Sequence, residues 1–509
     1  MDVLMVSAEV VPLSKVGGLA DVVGALPRAL VDEGVRVSVM TPAYGQIDRS
    51  RLPEPPVKVF GSKIDLGPGG VHPVTVWRTR LPGADVPVFL VDNPHFFHRD
   101  GIYTDPATGE EYVDGAYRFI CFVRACLEYL DQVKPDVDII HCHDSHTATL
   151  PALLALREAD ADPLPSRRPG TLLTIHNIAY PGLYPAEVLP ALGIPERMCI
   201  PFGPFEYYGQ VNFLKIGIHY ADLVNTVSVR YAQEIQESSE YGYGLEGVLR
   251  QRASDVYGVL NGVDYGDWNP ETDALIPHRF SLDDLTGKRA NKQALLEAYG
   301  FPAVDLERPV IGMVGRLVDQ KGLDLVMPLL DELAGMGLYL VVLGTGLPRY
   351  HEQLLEAQRR HPGFLGVRIG FDNRLAHLIE AGSDLFLMPS RFEPCGLNQM
   401  YSLRYGTAPI VRATGGLADT VTPFQPDTGR GTGFVFSAYS SQALLEQIDL
   451  ATYLYPDRRI WTRLMRNGMR QDFSWRRSAR RYVELYQKIM ARRESRPGAV
   501  APPAKPPSA

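Results

Sequence analysis

The strongest constraint on the fold is a unit that recurs along the chain: a short apolar run, a loop with glycine, then apolar residues at helical spacing. Residues 3–7 predict a strand, and a loop over 8–18 follows it. The helix after this loop is marked by Leu19, Val22, Val23, Leu26 and Leu30. Pro27 inside that pattern predicts a kink or an early end of the helix. With the next strand at 35–40, the chain opens as a parallel βαβ unit.

The same unit appears in two series, separated by a connecting region at 242–261. Further strands are predicted within 57–91 and at 137–140, 171–175, 221–228, 310–314, 338–343, 366–369, 384–388 and 408–411. Further helices are predicted at 115–130, 150–158, 323–333, 397–405 and 472–490. Two series of βα units predict an α/β protein with two Rossmann-like, doubly wound domains facing across a cleft. The motif GGLAD occurs at 17–21 and again at 415–419, which suits two similar half-sites.

Bulk properties exclude several classes of protein. The 509 residues exceed what one hydrophobic core usually serves, and the net charge of −8 argues against nucleic acid as the main partner. The first residues lack the basic region and cleavage site of a signal peptide, and no apolar run is long enough to span a bilayer. No membrane partner is therefore expected. Five cysteines without metal-type spacing favour a reduced, cytoplasmic protein.

The turn at 389–396 follows one buried strand and precedes a helix, which is where open α/β sheets bind ligands. Gly396 permits close approach to the backbone, and the free N–H groups of the following helix can receive a phosphate. A carboxylate such as Glu393 beside a phosphate site is useful when the phosphate leaves and positive charge grows on a neighbouring carbon. An ordinary surface turn is the competing interpretation.

Basic residues on two other strand-to-helix loops support this interpretation. Arg316 and Lys321 lie on the loop after the strand at 310–314, and together they can neutralise a leaving diphosphate. Lys15 precedes two glycines before the first helix, a pattern that also favours phosphate. Neither loop has the spacing of a P-loop or of the dinucleotide fingerprint, and a purely structural role stays open for both.

The run His141-Cys142-His143-Asp144-Ser145-His146 suggests a metal cluster at first sight, but its spacing matches no zinc pattern. Hydrogen bonding to a sugar is the better interpretation, with Asp144 as the carboxylate and Asn177, after His176, binding hydroxyls. Structure and function are equally open for His176. The loop aromatics that could stack on sugar rings, or pack in the core, are Tyr44, Phe96, Phe97 and Tyr180.

Seven motifs in order give the chain a resemblance to a known family: KVGGLADVVGALPRAL, HCHDSHTA, TIHNIAYPG, LNGVD, GRLVDQKGLD, PSRFEPCGLNQ and TGGLADTV. The chain resembles the bacterial glycogen synthases, the ADP-glucose-using family shared with plant starch synthases, from about residue 3 to about residue 486. The resemblance implies the GT-B fold. It also implies glucose transfer from ADP-glucose to the non-reducing end of an α-1,4-glucan, with retention and without a metal or other cofactor.

The resemblance also implies roles for particular residues. Lys15 matches the lysine at the donor diphosphate and glucose, while Arg316 and Lys321 match the pair that binds the leaving diphosphate. Glu393 matches the carboxylate that positions glucose and stabilises the oxocarbenium-like state. The positions implied to line the glucose pocket or the phosphates, or to stand in family motifs, are Gly18, Asp21, Asp144, His176, Asn177, Asn261, Cys395, Gly396 and Leu397.

The implied domains are an acceptor-side domain at 1–256 and a nucleotide-sugar domain at 257–472. A helix at 473–491 is expected to return to the first domain, and a Pro/Ala-rich tail at 492–509 to be disordered. Three residues depart from the usual pattern and could retune nucleotide or acceptor preference: Val16, Phe97 and Asn398. The loss of a hydroxyl at Phe97 is expected on the acceptor side.

Four rival functions would each make different demands on the sequence. A related GT-B transferase would use UDP-glucose or another acceptor, and a phosphorylase would need a cofactor-binding lysine, which does not stand out. A nicotinamide-dependent oxidoreductase would need GxGxxG after the first strand, which is lacking. A catalytically inactive glucan-binding protein would not need Lys15, Arg316, Lys321 and Glu393. Front-face attack and double displacement are equally open, as is the oligomeric state.

Overall fold

The computed structural model describes residues 1–134, 136–160, 168–302 and 304–495. The chain forms two compact units, each of which contains one large sheet. The first unit comprises Met1–Val227, Ala232–Gly262 and the chain from Trp475 onward, and the second comprises Ser228–Tyr231 and Val263–Ser474. None of the helices in the described ranges combines the length and apolar character that crossing a membrane requires.

The first unit is built on a nine-stranded sheet with the order β11-β10-β7-β6-β1-β2-β5-β4-β3. The strands of this unit are β1 Asp2–Val6, β2 Arg36–Pro42, β3 Val57–Asp65, β4 Val71–Arg80, β5 Pro87–Asp92, β6 Ile139–His143, β7 Gly170–Ile175, β8 Leu183–Pro185, β9 Gln210–Asn212, β10 Leu223–Thr226 and β11 Val256–Gly258. Only β3, β4 and β5 pair antiparallel in the large sheet, and β8 pairs with β9 in a separate hairpin-like ladder.

Helices cover this sheet at the connections between its parallel strands. They are α1 Gly18–Asp32, α2 Pro94–Phe97, α3 Gly115–Gln132, α4 Leu150–Asp160, α5 Leu189–Leu192, α6 Phe213–Tyr220, α7 Val229–Glu237, α8 Ser239–Gly242 and α9 Glu246–Gln251. The early end that Pro27 predicted for the first helix is wrong, because α1 continues to Asp32. Burial of its whole apolar face outweighs the one backbone hydrogen bond that proline removes.

The second unit contains a six-stranded sheet, all of whose described strands are parallel, with the order β14-β13-β12-β15-β16-β17. Its strands are β12 Val310–Val314, β13 Tyr339–Gly344, β14 Leu365–Ile369, β15 Leu385–Met388, β16 Ala408–Arg412 and β17 Phe434–Phe436. The remaining helices are α10 Thr286–Tyr299, α11 Leu323–Val326, α12 Leu330–Gly335, α13 Pro348–Arg360, α14 Asn373–Gly382, α15 Asn398–Arg404, α16 Gly415–Thr420, α17 Ser441–Leu454, α18 Arg458–Met469 and α19 Trp475–Glu494.

Both sheets are covered on two faces, which explains the continuous apolar runs in the sequence. Every residue of β6, β7, β13 and β15 is buried. In the second unit one core cluster, with Leu340 and Ile410, lies on one side of the sheet, and another, with Val341 and Phe386, lies on the other. The prediction of two doubly wound, Rossmann-like sheets is therefore confirmed.

Helix α19 packs against α1 and β7 in the first unit. Its buried residues recur mostly at spacings of three and four: Trp475, Ser478, Ala479, Tyr482, Leu485, Tyr486 and Ile489. A chain of polar groups runs through that contact. Tyr486 Oη lies 2.8 Å from His141 Nδ1, and His141 Nε2 lies 2.6 Å from Thr174 Oγ1. Thr174 Oγ1 in turn lies 2.6 Å from Asn225 Oδ1, so the helix and three parallel strands share one buried network.

Several predicted boundaries differ from those observed. The region at 242–261 is not a plain connector, since it contains α9 and the edge strand β11, so a domain boundary at 256/257 would cut into the first sheet. The predicted helix at 323–333 is interrupted by a 3-10 turn at Met327–Leu329, where Pro328 cannot donate. The returning helix ends at Glu494 rather than 491. Residues 496–509 of the predicted tail lie outside the described residues.

The network at α19 predicts a stability effect in the variant Tyr486→Phe. Removal of the hydroxyl leaves a nitrogen of the fully buried His141 without its partner, so the free energy of unfolding should fall by about 1–3 kcal/mol. The midpoint of urea unfolding, followed by circular dichroism, measures this loss. The matched variant Tyr453→Phe, at a tyrosine that is 81% exposed, should leave the midpoint unchanged. Equal midpoints for Tyr486→Phe and the original protein would contradict the prediction.

Candidate functional site

Most of the predicted site residues lie where each sheet reverses its strand order, whereas His176 and Asn177 follow β7 and Asn261 follows β11. In the first sheet β1 has β6 on one side and β2 on the other, so the loops after β1 and β6 diverge at their carboxyl ends. In the second sheet β12 lies between β13 and β15, and the loops after β12 and β15 diverge in the same way. Such switch points form the ligand crevices of open α/β sheets. Each unit therefore presents one crevice at the carboxyl edge of its sheet.

An ion pair occupies the switch point of the second unit. Lys321, on the loop after β12, lies with Nζ 2.5 Å from Oε2 of Glu393, on the turn after β15. Ser390 Oγ donates to the same carboxylate oxygen at 3.1 Å. Glu393 is buried and Lys321 is half-buried, so solvent screens this pair only in part. The structure thus brings two of the predicted catalytic residues into direct contact.

The second GGLAD motif packs against the backbone of the turn that carries Glu393. A Cβ atom on Gly415 would lie 1.9 Å from the carbonyl oxygen of Glu393, and one on Gly416 would lie 1.9 Å from that of Cys395. The N–H of Gly416 donates to the Glu393 carbonyl at 3.1 Å. These glycines are required because the start of α16 touches the backbone of the turn, leaving no space for a side chain.

Gly396 has a φ of +69°, which turns the chain into α15. Gln399 Nε2 donates to the carbonyls of Cys395 and Gly396, each at 3.0 Å. Asn398 Nδ2 donates to Val314 O at the end of β12, at 2.9 Å. Asn398, one of the departures from the family pattern, is thus a structural tie between the two loops. Cys395 is buried and Leu397 is half-buried, so neither side chain is fully accessible to solvent.

Arg316 is exposed on the same edge as the ion pair. One of its terminal nitrogens lies 3.3 Å from Oε1 of Gln320. Gln320 also accepts, through its backbone oxygen, the N–H of Arg391 at 2.9 Å, which joins the β12 loop to the β15 turn. Arg316 is in no ion pair within the described part of the chain, so its charge is available to an anion.

In the first unit a residue that the sequence analysis missed, Glu9, organises the loop after β1. Its carboxylate accepts the N–H groups of Val16 and Gly17, the latter at 3.1 Å, and the hydroxyl of Tyr103 at 2.5 Å. Burial raises the pKa of Glu9, although these donors act in the opposite direction. An acidic residue inside an apolar run was the signal that could have identified it.

Lys15 and Asp21, both predicted substrate ligands, form an exposed ion pair with Nζ 2.6 Å from Oδ1. Gly18 is the first residue of α1, and a Cβ on it would meet nothing within 4 Å. The helix start is therefore open, with a cation beside it. Exposed pairs of this kind contribute little to stability, so Lys15 can exchange its partner for an anionic ligand.

Asp144, after β6, has a φ of +55°. Its Oδ1 accepts the N–H of His176 at 2.7 Å and that of Asn177 at 3.4 Å, which joins the ends of β6 and β7. Burial raises the pKa of Asp144 to about 7, although both N–H groups lower it. The left-handed backbone and the shifted pKa together mark this carboxyl group as a functional candidate.

The histidines that suggested a metal contact one another and the protein. His143 Nδ1 lies 3.0 Å from His176 Nε2, and burial lowers the pKa of His176 to about 3, so its imidazole is neutral. Burial likewise lowers the pKa of His141 to about 3. In the described ranges no group of three or more His, Cys, Asp and Glu side chains is placed to hold a metal ion.

Ten side-chain polar atoms in the described part of this unit are buried without a hydrogen-bond partner, among them Asn261 Oδ1 and His143 Nε2. Asn261 itself is buried, next to the last residue of its segment of the first unit. Unsatisfied buried polar atoms are rare because each forfeits a hydrogen bond to water. Asn261 was a predicted substrate residue, and its Oδ1 is a free acceptor.

The predicted role of Phe97 on the acceptor side is wrong, because its side chain is fully buried against Tyr44. Tyr44 and Phe96 are also in the core, since large apolar surfaces are most stable out of water. Only Tyr180 of the four loop aromatics is accessible, with 58% of its surface exposed. Sequence alone could not distinguish these fates.

The chain is similar to known glycosyltransferases over most of its length. The profile of the starch synthase catalytic domain matches residues 2–251, and that of glycosyl transferases group 1 matches residues 301–466. A glycogen synthase of Koribacter versatilis is 46% identical over 488 residues, 96% of this chain and 98% of that protein. A glycogen synthase of Anaeromyxobacter sp. strain Fw109-5 is also 46% identical, over 96% of this chain and 100% of that protein.

Among solved structures, the catalytic domain of starch synthase IV from Arabidopsis thaliana, bound to ADP and acarbose, superimposes with a TM-score of 0.85. It is 32% identical and covers 96% of this chain and 99% of its own. Sucrose-phosphate synthase from Thermosynechococcus elongatus covers 96% of this chain and 99% of its own with a TM-score of 0.57 at 16% identity, which shows the fold alone.

The carboxyl group of Asp144 predicts a pH-dependent stability effect in the variant Asp144→Asn. A folded-state pKa near 7, above the unfolded value, means that wild-type stability is fully present below about pH 4 and is lost as the pH rises through 7. Asparagine keeps the acceptor oxygen and tolerates the left-handed backbone, but does not ionise. The free energy of unfolding of the variant should equal that of the wild type at pH 4 and exceed it by about 2 kcal/mol at pH 8. This difference is smaller than the whole pKa shift would give, because Asp144 is partly exposed to solvent.

Thermal denaturation of both proteins between pH 4 and pH 8 measures this difference. Asp449→Asn, at an exposed aspartate of α17, serves as the control. Parallel stability curves for Asp144→Asn and the wild type across this range would contradict the prediction.

Proposed function

The chain belongs to the glycogen synthase and starch synthase family of glycosyltransferases, and on that premise we propose its reaction. The proposed reaction transfers glucose from ADP-glucose to the non-reducing end of an α-1,4-glucan, with retention at the anomeric carbon. The donor is supported by the ADP in the related starch synthase structure, and the glucan acceptor by the acarbose in the same structure.

One observation carries this proposal: the buried Glu393 carboxylate paired with Lys321 at a switch point, beside the exposed Arg316. When the bond from the sugar to the diphosphate breaks, negative charge grows on the diphosphate and positive charge on the anomeric carbon. Two cations and one carboxylate, held in place before the reaction, match that pattern of charge. Groups preorganised for the transition state lower the barrier more than groups that must reorient.

The chain's own residues divide this work in the second unit. Arg316 and Lys321 bind the oxygens of the leaving diphosphate, and the free N–H groups at the start of α15 add donors near Gly396. Glu393 is held by Ser390 and by the backbone contact with Gly416, and Lys321, whose ammonium group has three N–H donors, can bind the diphosphate while it stays paired with this carboxylate. Its negative charge then faces the oxocarbenium-like sugar.

The first unit, taken by itself, has polar groups that suit sugar hydroxyls. Asp144 and Asn177 offer acceptors and donors at the ends of β6 and β7, and the neutral His176 can donate without bringing a competing charge. Lys15 lies on a loop whose amides are fixed by Glu9, and its charge suits a phosphate. Asn261 presents a free oxygen to a hydroxyl group.

We propose that no metal or other cofactor takes part, because Arg316, Lys321 and Lys15 supply the positive charge that a divalent ion would otherwise provide. We also propose that the protein works in the cytoplasm, where its five free cysteines stay reduced. Its partners are then ADP-glucose and the glucan, with no nucleic acid or membrane partner, and its oligomeric state is left open.

A donor panel tests the proposed reaction. Labelled ADP-glucose and UDP-glucose are offered separately with glycogen as acceptor, in buffer containing EDTA. We expect incorporation from ADP-glucose to be at least about tenfold faster than from UDP-glucose. The two donors share the diphosphate contacts, so recognition of the base sets this difference in rate. Faster incorporation from UDP-glucose would indicate the related transferase instead, and none from either donor would refute a glucosyltransferase.

Charge removal at the second switch point predicts a loss of turnover without unfolding. Arg316→Ala, Lys321→Ala and Glu393→Ala should each lower kcat by about 10²–10³-fold, because each removes about 2–4 kcal/mol of transition-state stabilisation. Initial rates with ADP-glucose and glycogen measure this, with circular dichroism as the check on folding.

The control for these variants is Arg359→Ala, at an exposed arginine of α13 that pairs only with its neighbour Glu356 in the described structure. It should keep the original kcat. Unchanged turnover in the three site variants would refute the assignment of the residues but not the donor.

A further inference from the structure

Helix α18 carries a row of arginines on its solvent-facing side. Arg459, Arg463, Arg466 and Arg470 follow one another at spacings of four, three and four residues, which places them on one face of the helix. At a rise of about 1.5 Å per residue, the row is about 16 Å long. We call these four side chains the arginine row. The opposite side of α18 is buried in the second unit through Trp461, Leu464, Gly468 and Met469.

The arginine row is set apart by its lack of ion pairs within the described part of the chain. Arg458, the residue before Arg459 on the same helix, does pair, with Glu307. Six other arginines of the second unit also pair with an acid: Arg289, Arg349, Arg359, Arg360, Arg391 and Arg404. Like charges at helical spacing repel one another, so the row destabilises α18 without a compensating ion pair among the described residues.

Two members of the row are held in place by the backbone of other segments. Arg466 Nε donates to the carbonyl of Leu282 at 3.3 Å. A Cβ atom on Gly429 would lie 2.5 Å from Cζ of Arg463, so this guanidinium lies directly on the backbone of the glycine. Asn467 Nδ2, on the same helix, donates to the Gly429 carbonyl at 2.9 Å and holds that loop against α18. Donors that are already fixed lose less conformational freedom when a ligand binds.

Two acids that adjoin the row are engaged in capping helices. Asp457 Oδ1 accepts the N–H of Arg459 at 3.0 Å, at the start of α18. Asp284, two residues beyond Leu282, accepts the N–H of Thr286 at 3.0 Å, at the start of α10. Their carboxylates therefore stabilise helix starts, and neither forms an ion pair with the row.

The row lines a concavity of about 430 Å³, together with Thr462. In the described structure all residues of this lining belong to α18 or directly follow it. Sites for small molecules enclose most of their ligand, whereas a small anion on one helix face would keep most of its surface in water. A long ligand that lies along the helix can contact all four arginines. The shape therefore favours an extended polyanion over a free phosphate.

The chemistry of the lining favours an acidic protein over a lipid surface or a nucleic acid. None of the described residues that line the concavity is apolar or aromatic. Binding to a membrane surface needs apolar residues that insert, and binding of single-stranded nucleic acid needs rings on which its bases stack. An acidic helix needs neither. Its glutamates at spacings of four, three and four repeat at the same intervals as the row, and each carboxylate can accept two N–H groups from one guanidinium.

We propose that the arginine row is a docking site for an acidic helix of a partner protein. The inference is independent of the proposed reaction, because none of the four arginines is among the residues assigned to the donor or the acceptor. Its occupant is a protein segment of complementary charge, rather than a nucleic acid, a free phosphate or a second copy of this chain.

The test uses the full-length protein and a labelled α-helical peptide of alanine, glutamine and glutamate, whose four glutamates have spacings of four, three and four. Fluorescence anisotropy should give a Kd below about 100 µM at low salt. The variant Arg459→Gln/Arg463→Gln, which removes two exposed ion pairs with the peptide, should raise Kd about tenfold. Arg470→Gln, at the exposed end of the row, should raise it about threefold.

Two controls separate spacing from net charge. A peptide of the same composition, with glutamates at spacings of two, three and two, should bind about tenfold more weakly, because only two carboxylates then face the row. Arg359→Gln/Arg360→Gln, on α13, removes the same charge at arginines that already pair with Glu356 and Asp331, and should bind the first peptide like the wild type. Circular dichroism checks that all variants are folded.

Several results would overturn the inference. They are no binding by the wild type, equal affinity for the two peptides, or an equal loss of affinity in the α13 variant. Displacement of the peptide by pyrophosphate or by a single-stranded oligonucleotide at lower concentration than by unlabelled peptide would assign the row to phosphate or to nucleic acid instead. A wild-type dimer in size-exclusion chromatography that becomes a monomer in Arg459→Gln/Arg463→Gln would assign it to a second copy of the chain.

Discussion

The rest of the structure depends on one constraint: parallel strands deliver all their carboxyl ends to the same edge of a sheet. Where the strand order reverses, two of these ends have loops that diverge, and a ligand can enter between them. In the second unit this happens at β12 and β15, and the ion pair of Lys321 and Glu393 joins the two loops there. In the first unit it happens at β1 and β6, where Glu9 and Asp144 fix the loops.

Each switch point uses the same device with different chemistry. At each, a glycine-bearing helix start lies against a segment that carries a buried glutamate, Glu9 in the first unit and Glu393 in the second. Glu9 accepts the amides before α1, beside the first GGLAD motif, whereas the glycines of the second motif rest on the backbone of the turn that carries Glu393. Both GGLAD motifs thus lie at the start of a helix on a sheet edge, but they make different contacts there.

Buried neutral histidines explain why the run HCHDSH does not behave as its composition suggests. His141 contacts Tyr486 and Thr174, and His143 Nδ1 contacts His176, so these histidines join neighbouring strands beside Asp144. Burial raises the pKa of the Asp144 carboxyl group, whereas the amides at the end of β7 lower it, and the effect of burial is the larger. Phe202 and Tyr208 also have a left-handed backbone, but they lie at the surface of the first unit rather than in its crevice.

The sequence by itself determined the class of fold and the chemistry of the loops. Apolar runs alternating with helical patterns leave few arrangements other than parallel sheets, and glycine, lysine, arginine and glutamate at strand ends identify the anion-binding loops, because both signals are local. Only the tertiary structure decided which residues meet. The contact of Lys321 with Glu393, 72 residues apart, the burial of Phe97, the central role of Glu9 and the exposure of Tyr208 depend on neighbours from distant segments. Periodicity describes one segment at a time, whereas burial and pairing are properties of the surfaces that segments share once packed.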